Sequence, residues 1–111
     1  MLQANDIPHR FHLVEQAIGQ AAQACSGERN LPSELRDSIQ RLDRHSDTAQ
    51  EVLFSKDETR LHKLVKEMDR LAERARQVCL NIPQLSPQMR GAVNYMHSQI
   101  MELKRDVRIN P

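Results

Sequence analysis

Apolar residues recur along this chain at steps of three and four, the spacing that lays side chains down one face of an α-helix. Ile7, Phe11, Val14, Ile18, Ala21 and Cys25 make the first such stripe. Asp6 is placed to cap it, Pro8 suits its first turn, and residues 26–30 supply a polar stop. Gly19 inside this pattern lowers helix propensity, which points to close packing at that position. A second stripe runs through Leu35, Ile39, Leu42, Ser46, Ala49 and Leu53. It is thin in the middle, because Ser46 and Ala49 have little apolar area to bury. Asp37 and Arg41, four residues apart, form a favourable pair on its polar side.

The third stripe is the widest. Leu61, Val65, Met68, Ala72, Ala75 and Cys79 form one row, and Leu64, Leu71 and Val78 lie beside it. Between the second and third stripes, Ser55-Lys56-Asp57-Glu58 has the form of a capping box, with Ser55 as N-cap and Glu58 at the third helical position. Without a break there, one helix would run from about residue 33 to about residue 80 and need a coiled-coil partner. The segment 81–87 is a linker: a helix ends before Pro83, and another starts with Ser86 as N-cap and Pro87 in first position. Met89, Val93, Met96, Ile100, Leu103 and Val107 then form the fourth stripe, which Asn110 and Pro111 end.

The pattern predicts helices over residues 8–26, 32–54, 56–80 and 87–108, packed as an all-α, up-down-up-down antiparallel four-helix bundle in a single domain over residues 1–111. Only 3% of the 111 residues are aromatic, so Leu, Ile, Val, Met and Ala must fill the core. That modest core, the thin second stripe and the wide third one predict a homodimer, in which a second copy covers the unmatched Leu and Val rows. A formal net charge of +1 offers little repulsion against such association.

The same near-balance of charge argues against a strongly basic footprint for nucleic acid or an anionic membrane. One local basic stripe stands out nonetheless. Lys63, Lys66, Arg70 and Arg74, with Arg60 and Arg76 nearby, run along the third helix and are interrupted by Glu67, Asp69 and Glu73. The start of the chain lacks a signal-peptide pattern, and no apolar run approaches the roughly 18 residues that span a bilayer, so a cytoplasmic protein is expected.

Candidate chemistry is sparse. His9 and His12 near the start of the first helix, and Glu58 and His62 at the start of the third, are the best candidate metal ligands, since imidazole and carboxylate groups suit a divalent ion. The chain contains no Glu-x-x-His, the motif that builds carboxylate-bridged metal pairs in bundles. Residues 12–15 carry the reverse order. Cys25 and Cys79 are expected at the same bundle end on core stripes, as small buried hydrophobes; a redox or metal pair and a disulfide are the alternatives. His45 and His97 lie mid-helix without a nucleophile or acid beside them in sequence.

No cofactor motif is present, because a Gly-rich phosphate loop needs a strand to follow and none is predicted. The expected role is a non-enzymatic structural or protein-interaction module, with a second copy or a partner helix as its partner. Two alternatives follow from the stripe and the histidines: a nucleic-acid or phosphate-binding protein using the basic face of the third helix, and a metal-dependent enzyme using His9, His12, Glu58 and His62.

Overall fold

The computed structural model describes residues 6–28 and 30–107, with Asp6 by its backbone only. Its helices are α1 (Asp6–Ser26), α2 (Ser33–Asp47), α3 (Ala49–Ser55), α4 (Glu58–Leu80) and α5 (Pro87–Val107). With α2 and α3 counted as one kinked arm, this is the expected antiparallel four-helix bundle. Asp6 is itself helical, so α1 begins earlier than expected. The stop expected at Asn110 and Pro111 lies outside the described residues.

The four arms form a square. α1 packs beside α2 and α5, and α4 packs beside the same two, while α1 and α4 face each other across the diagonal. All four stripes meet inside. Val14, Ile18, Leu35, Ile39, Leu42, Val65, Met68, Met89, Val93, Met96, Ile100 and Leu103 are fully enclosed. Each large aliphatic side chain buried this way stabilises the fold by about 1.5–3 kcal/mol relative to exposure. No side-chain nitrogen or oxygen buried among the described residues lacks a hydrogen-bond partner. Ser38, for example, sits in the core and donates to the Glu34 carbonyl at 3.0 Å.

The wide face of the α4 helix is covered inside the chain. Leu64, Val65, Met68, Leu71, Ala72, Ala75 and Cys79 are all buried, and only Leu61 and Val78 are half-exposed. The width has a simple cause: α4 is flanked by the α2–α3 arm on one side and α5 on the other. The ground for expecting a second copy on this face is therefore removed.

Two local breaks differ from the sequence reading. The arm expected as one helix over 32–54 is interrupted at Thr48, whose backbone N–H bonds to the His45 carbonyl at 3.2 Å and whose hydroxyl donates to the same oxygen at 2.9 Å. A threonine that bonds its own backbone three residues back competes with the helical ladder, and no proline or glycine is needed. The thin middle of the stripe is this kink, and Ala49 and Val52 are nonetheless buried.

The second break lies where expected, but its chemistry is shifted by two residues. Ser55 is the last residue of α3, donates to the Val52 carbonyl at 2.6 Å and accepts from the Asp57 N–H at 3.3 Å. Lys56 takes the left-handed conformation, φ 55° and ψ 25°, that ends many helices. Asp57 is the cap of α4, accepting from the N–H groups of Thr59 at 3.0 Å and Arg60 at 3.3 Å. Aspartate caps as well as serine does, so the signature admitted both registers. At the last turn the expectation holds: Ser86 accepts from the Met89 N–H at 3.1 Å, and Pro87 opens α5.

Candidate functional site

The four candidate metal ligands split into two pairs on different arms. His9 and His12 stand exposed on α1; Glu58 is exposed and His62 half-exposed on α4. His9 and His12, three residues apart, are neighbours on the surface of α1 and by themselves supply at most two ligands. The arms themselves are diagonal, and no Cα of α1 comes within 8 Å of any Cα of α4. His12 Nε2 instead lies 3.4 Å from the Gln16 side-chain nitrogen. Among the described residues no three His, Cys, Asp or Glu side chains are gathered to hold a metal ion. The structure does not bring the two pairs together.

Cys25 and Cys79 are both buried free thiols at the bundle end where α1 and α4 finish. Burial pushes both thiols above their ordinary range; Arg36 opposes this at Cys25 and Arg90 at Cys79, and the two cysteines are close enough for Cys25 to raise Cys79 further. A thiol held protonated is a poor nucleophile. The same diagonal spacing, beyond 8 Å between Cα atoms, exceeds the roughly 4.4–6.8 Å that a disulfide bridges. The two residues behave as core hydrophobes.

The basic stripe on α4 is largely answered by carboxylates. Arg70 pairs with Glu67 at 2.8 Å, Arg74 reaches Glu34 on α2 at 3.1 Å, Arg76 pairs with Glu73 at 3.3 Å, and Arg60 lies 3.9 Å from Glu51. Lys63 and Lys66 stand exposed. With its guanidinium groups so engaged, the stripe presents less positive charge than its composition promises.

His97 and Glu73 bridge α5 and α4, with Nε2 and Oε2 2.7 Å apart. That hydrogen bond, with a second from Gln77, holds the Glu73 carboxyl below its ordinary range against a small opposing effect of burial. Among the described residues the other side chains bonded to this pair are Arg76 and Gln77, both at Glu73, and His45 lies on another arm. The pair is a clasp between helices.

The feature that sequence reasoning missed is a groove between α1 and α3. Pro8, Phe11, His12 and Glu15 line it from α1, and Ala49, Gln50, Leu53 and Phe54 from α3, enclosing about 300 Å³. Phe11 forms part of the buried core, whereas Phe54 is 82% exposed, the most exposed large hydrophobic residue described. The kink at Thr48 positions Phe54, because it sets the seven residues of α3 apart as a separate unit beside α1. One signal was available: Phe54 follows Leu53, the last member of the second stripe, and so puts an aromatic ring where helical spacing asks for a polar residue.

The fold defines an all-α four-helix bundle. No protein-family model, curated protein or solved structure matches the chain. No described helix is long and apolar enough to cross a membrane.

Proposed function

We propose that the protein is a non-enzymatic protein-interaction module, and that it docks through the α1–α3 groove onto a second copy of itself. The observation that carries this reading is the 82% exposure of Phe54 at the rim of an apolar groove. Exposing a phenylalanine forgoes about 1.5–3 kcal/mol of burial, and aromatic residues in well-packed pockets dominate the energetics of protein contacts. The bundle closes its core without help, which leaves this surface free for a partner. The reactive groups, in contrast, are dispersed: the imidazoles of α1 and the Glu58–His62 pair sit on diagonal arms, and both thiols are buried.

The module reading is tested on the chain in its native cell extract, by native size analysis followed with an antibody. The expected result is a complex larger than the 12.8 kDa single chain, which collapses towards that mass when Phe54 is replaced by Ser. A wild-type chain that migrates as a free monomer in extract, and that also stays a single chain when purified and concentrated to about 1 mM, would overturn it. The nucleic-acid reading draws on Lys63 and Lys66; it requires low-salt binding of DNA or RNA that weakens as salt rises and when both lysines become Ala.

A further inference from the structure

From the shape and charge of this groove we infer how two copies meet: Phe54 of each enters the groove of the other, and Lys56 of each reaches Glu15 of the other. This rests on the interaction reading above. A two-fold contact requires one patch to carry both a projection and the hollow that receives it. Here Phe54 is the projection at one rim, and the hollow beside it lies between α3 and α1, lined by Leu53 and Phe54 itself on one side and by Pro8 and Phe11 on the other. An apolar cavity of roughly 150 Å³ accommodates a benzene ring, so about 300 Å³ accepts a phenylalanine side chain with room for its neighbours.

Charge supplies the register. Glu15 lines the groove, and Lys56 projects from the left-handed turn two residues beyond Phe54. Neither has a salt-bridge partner among the described residues. When Phe54 of one copy occupies the groove of the other, its Lys56 approaches the carboxylate in that wall, twice over by symmetry. The remaining charged groups near the rim, Glu51, Asp57 and Glu58, are exposed, and Glu51 already faces Arg60 at 3.9 Å.

The patch is small, only α3 and the first turns of α1, whereas a standard stable interface buries about 800 Å² on each partner. The dimer is therefore weak, with a dissociation constant on the order of 10⁻⁵–10⁻⁴ M.

Sedimentation equilibrium of the purified full chain, from about 10 µM to about 1 mM, reads this directly. The expected weight-average mass rises with concentration from one chain towards two. Phe54→Ser should raise the dissociation constant at least about 10-fold with helicity and melting unchanged, since its side chain is already solvated. Leu80→Ser, at another exposed apolar site (59%), should leave the constant unaltered. Lys56→Glu should weaken the dimer about 3–10-fold, and Glu15→Lys in the same chain should restore it. A single-chain mass at every concentration overturns the second copy as occupant; if the native complex still depends on Phe54, the module reading stands with a different partner. A dimer indifferent to Phe54→Ser places the contact elsewhere and overturns the geometry. Failure of the double variant to restore association overturns the Lys56–Glu15 register.

Discussion

The two halves of the bundle are built from different materials. The α1–α5 pair carries no Asp, Glu, Lys or Arg from Gln16 to Gly27 or from Gly91 to Met101, and the exposed positions of these stretches hold Gln, Gly, Ser, Asn, Tyr and Met. The α2–α4 pair is laced with charge, including Arg74–Glu34 across the helices and Arg41–Asp37 and Arg70–Glu67 along them. Yet the ion pair best placed to matter belongs to the charge-poor half, at the ends of its two helices. Arg10 Nε meets Asp106 at 2.9 Å, with the carboxylate only 2% exposed, and its other branch bonds Gln99 at 3.1 Å. The number of charges on a face thus says little about what electrostatics contributes there; burial of the partners decides it.

The sharpest way to break this comparison is to delete one arginine from each half. Arg10→Ala leaves the carboxylate of half-buried Asp106, 2% exposed in the intact pair, without its cation and should cost about 1.5–3 kcal/mol in urea unfolding. Arg74→Ala removes a pair whose side chains are both about half exposed, and should change stability by no more than about 0.5 kcal/mol. Equal effects would mean that the buried pair has no special role.

Much of this contrast was legible in the sequence, and the reasons for the exceptions are local. The stripes placed the core because a three-four repeat allows one inward face, and nearly every stripe residue described is buried. Arg10–Asp106 was not legible: the pair lies 96 residues apart in sequence, and only the antiparallel packing of α1 on α5 brings the two together. Thr48 was missed because its break rests on a hydroxyl bonding backward rather than on Pro or Gly. The metal candidates looked neighbourly because both pairs sit at one bundle end, a view that ignored the diagonal between their arms. Gly19 was read as a packing glycine, yet a Cβ built there meets nothing within 4 Å.

The charged half is sharpened at the start of α4. Asp57→Ala removes the acceptor for two free N–H groups and should cost about 1 kcal/mol, whereas Ser55→Ala should cost only a few tenths. Thermal melts of the two variants decide the register of the break; a larger loss at Ser55 would return the cap to the residue first expected.

The charge-poor half should respond in the opposite direction. Gly19 and Gly91 are exposed helical glycines, and the space around each is open. Replacing either with Ala reduces the freedom of the unfolded chain without a clash, so each variant should gain about 0.5–1 kcal/mol in chemical unfolding. A loss at either position would show that its neighbours do crowd the backbone.

The smallest effect concerns the clasp that joins the two halves, His97 on α5 and Glu73 on α4. The hydrogen bond from His97, and then that from Gln77, holds the Glu73 carboxyl below its ordinary range in the folded chain. A depressed carboxyl binds protons less readily folded than unfolded, so it stabilises the fold above the ordinary carboxyl pKa and loses that contribution as pH falls through the depressed value. Glu73 is 45% exposed, so solvent screening limits the effect to a few tenths of a kcal/mol. Replacing His97 with Phe keeps a ring in the half-buried site but removes the donor. Its stability, followed by urea unfolding from pH 7 to pH 3, should fall less steeply on the acid side than that of the wild type. Parallel acid limbs would show that the 2.7 Å contact does not set the ionisation of Glu73.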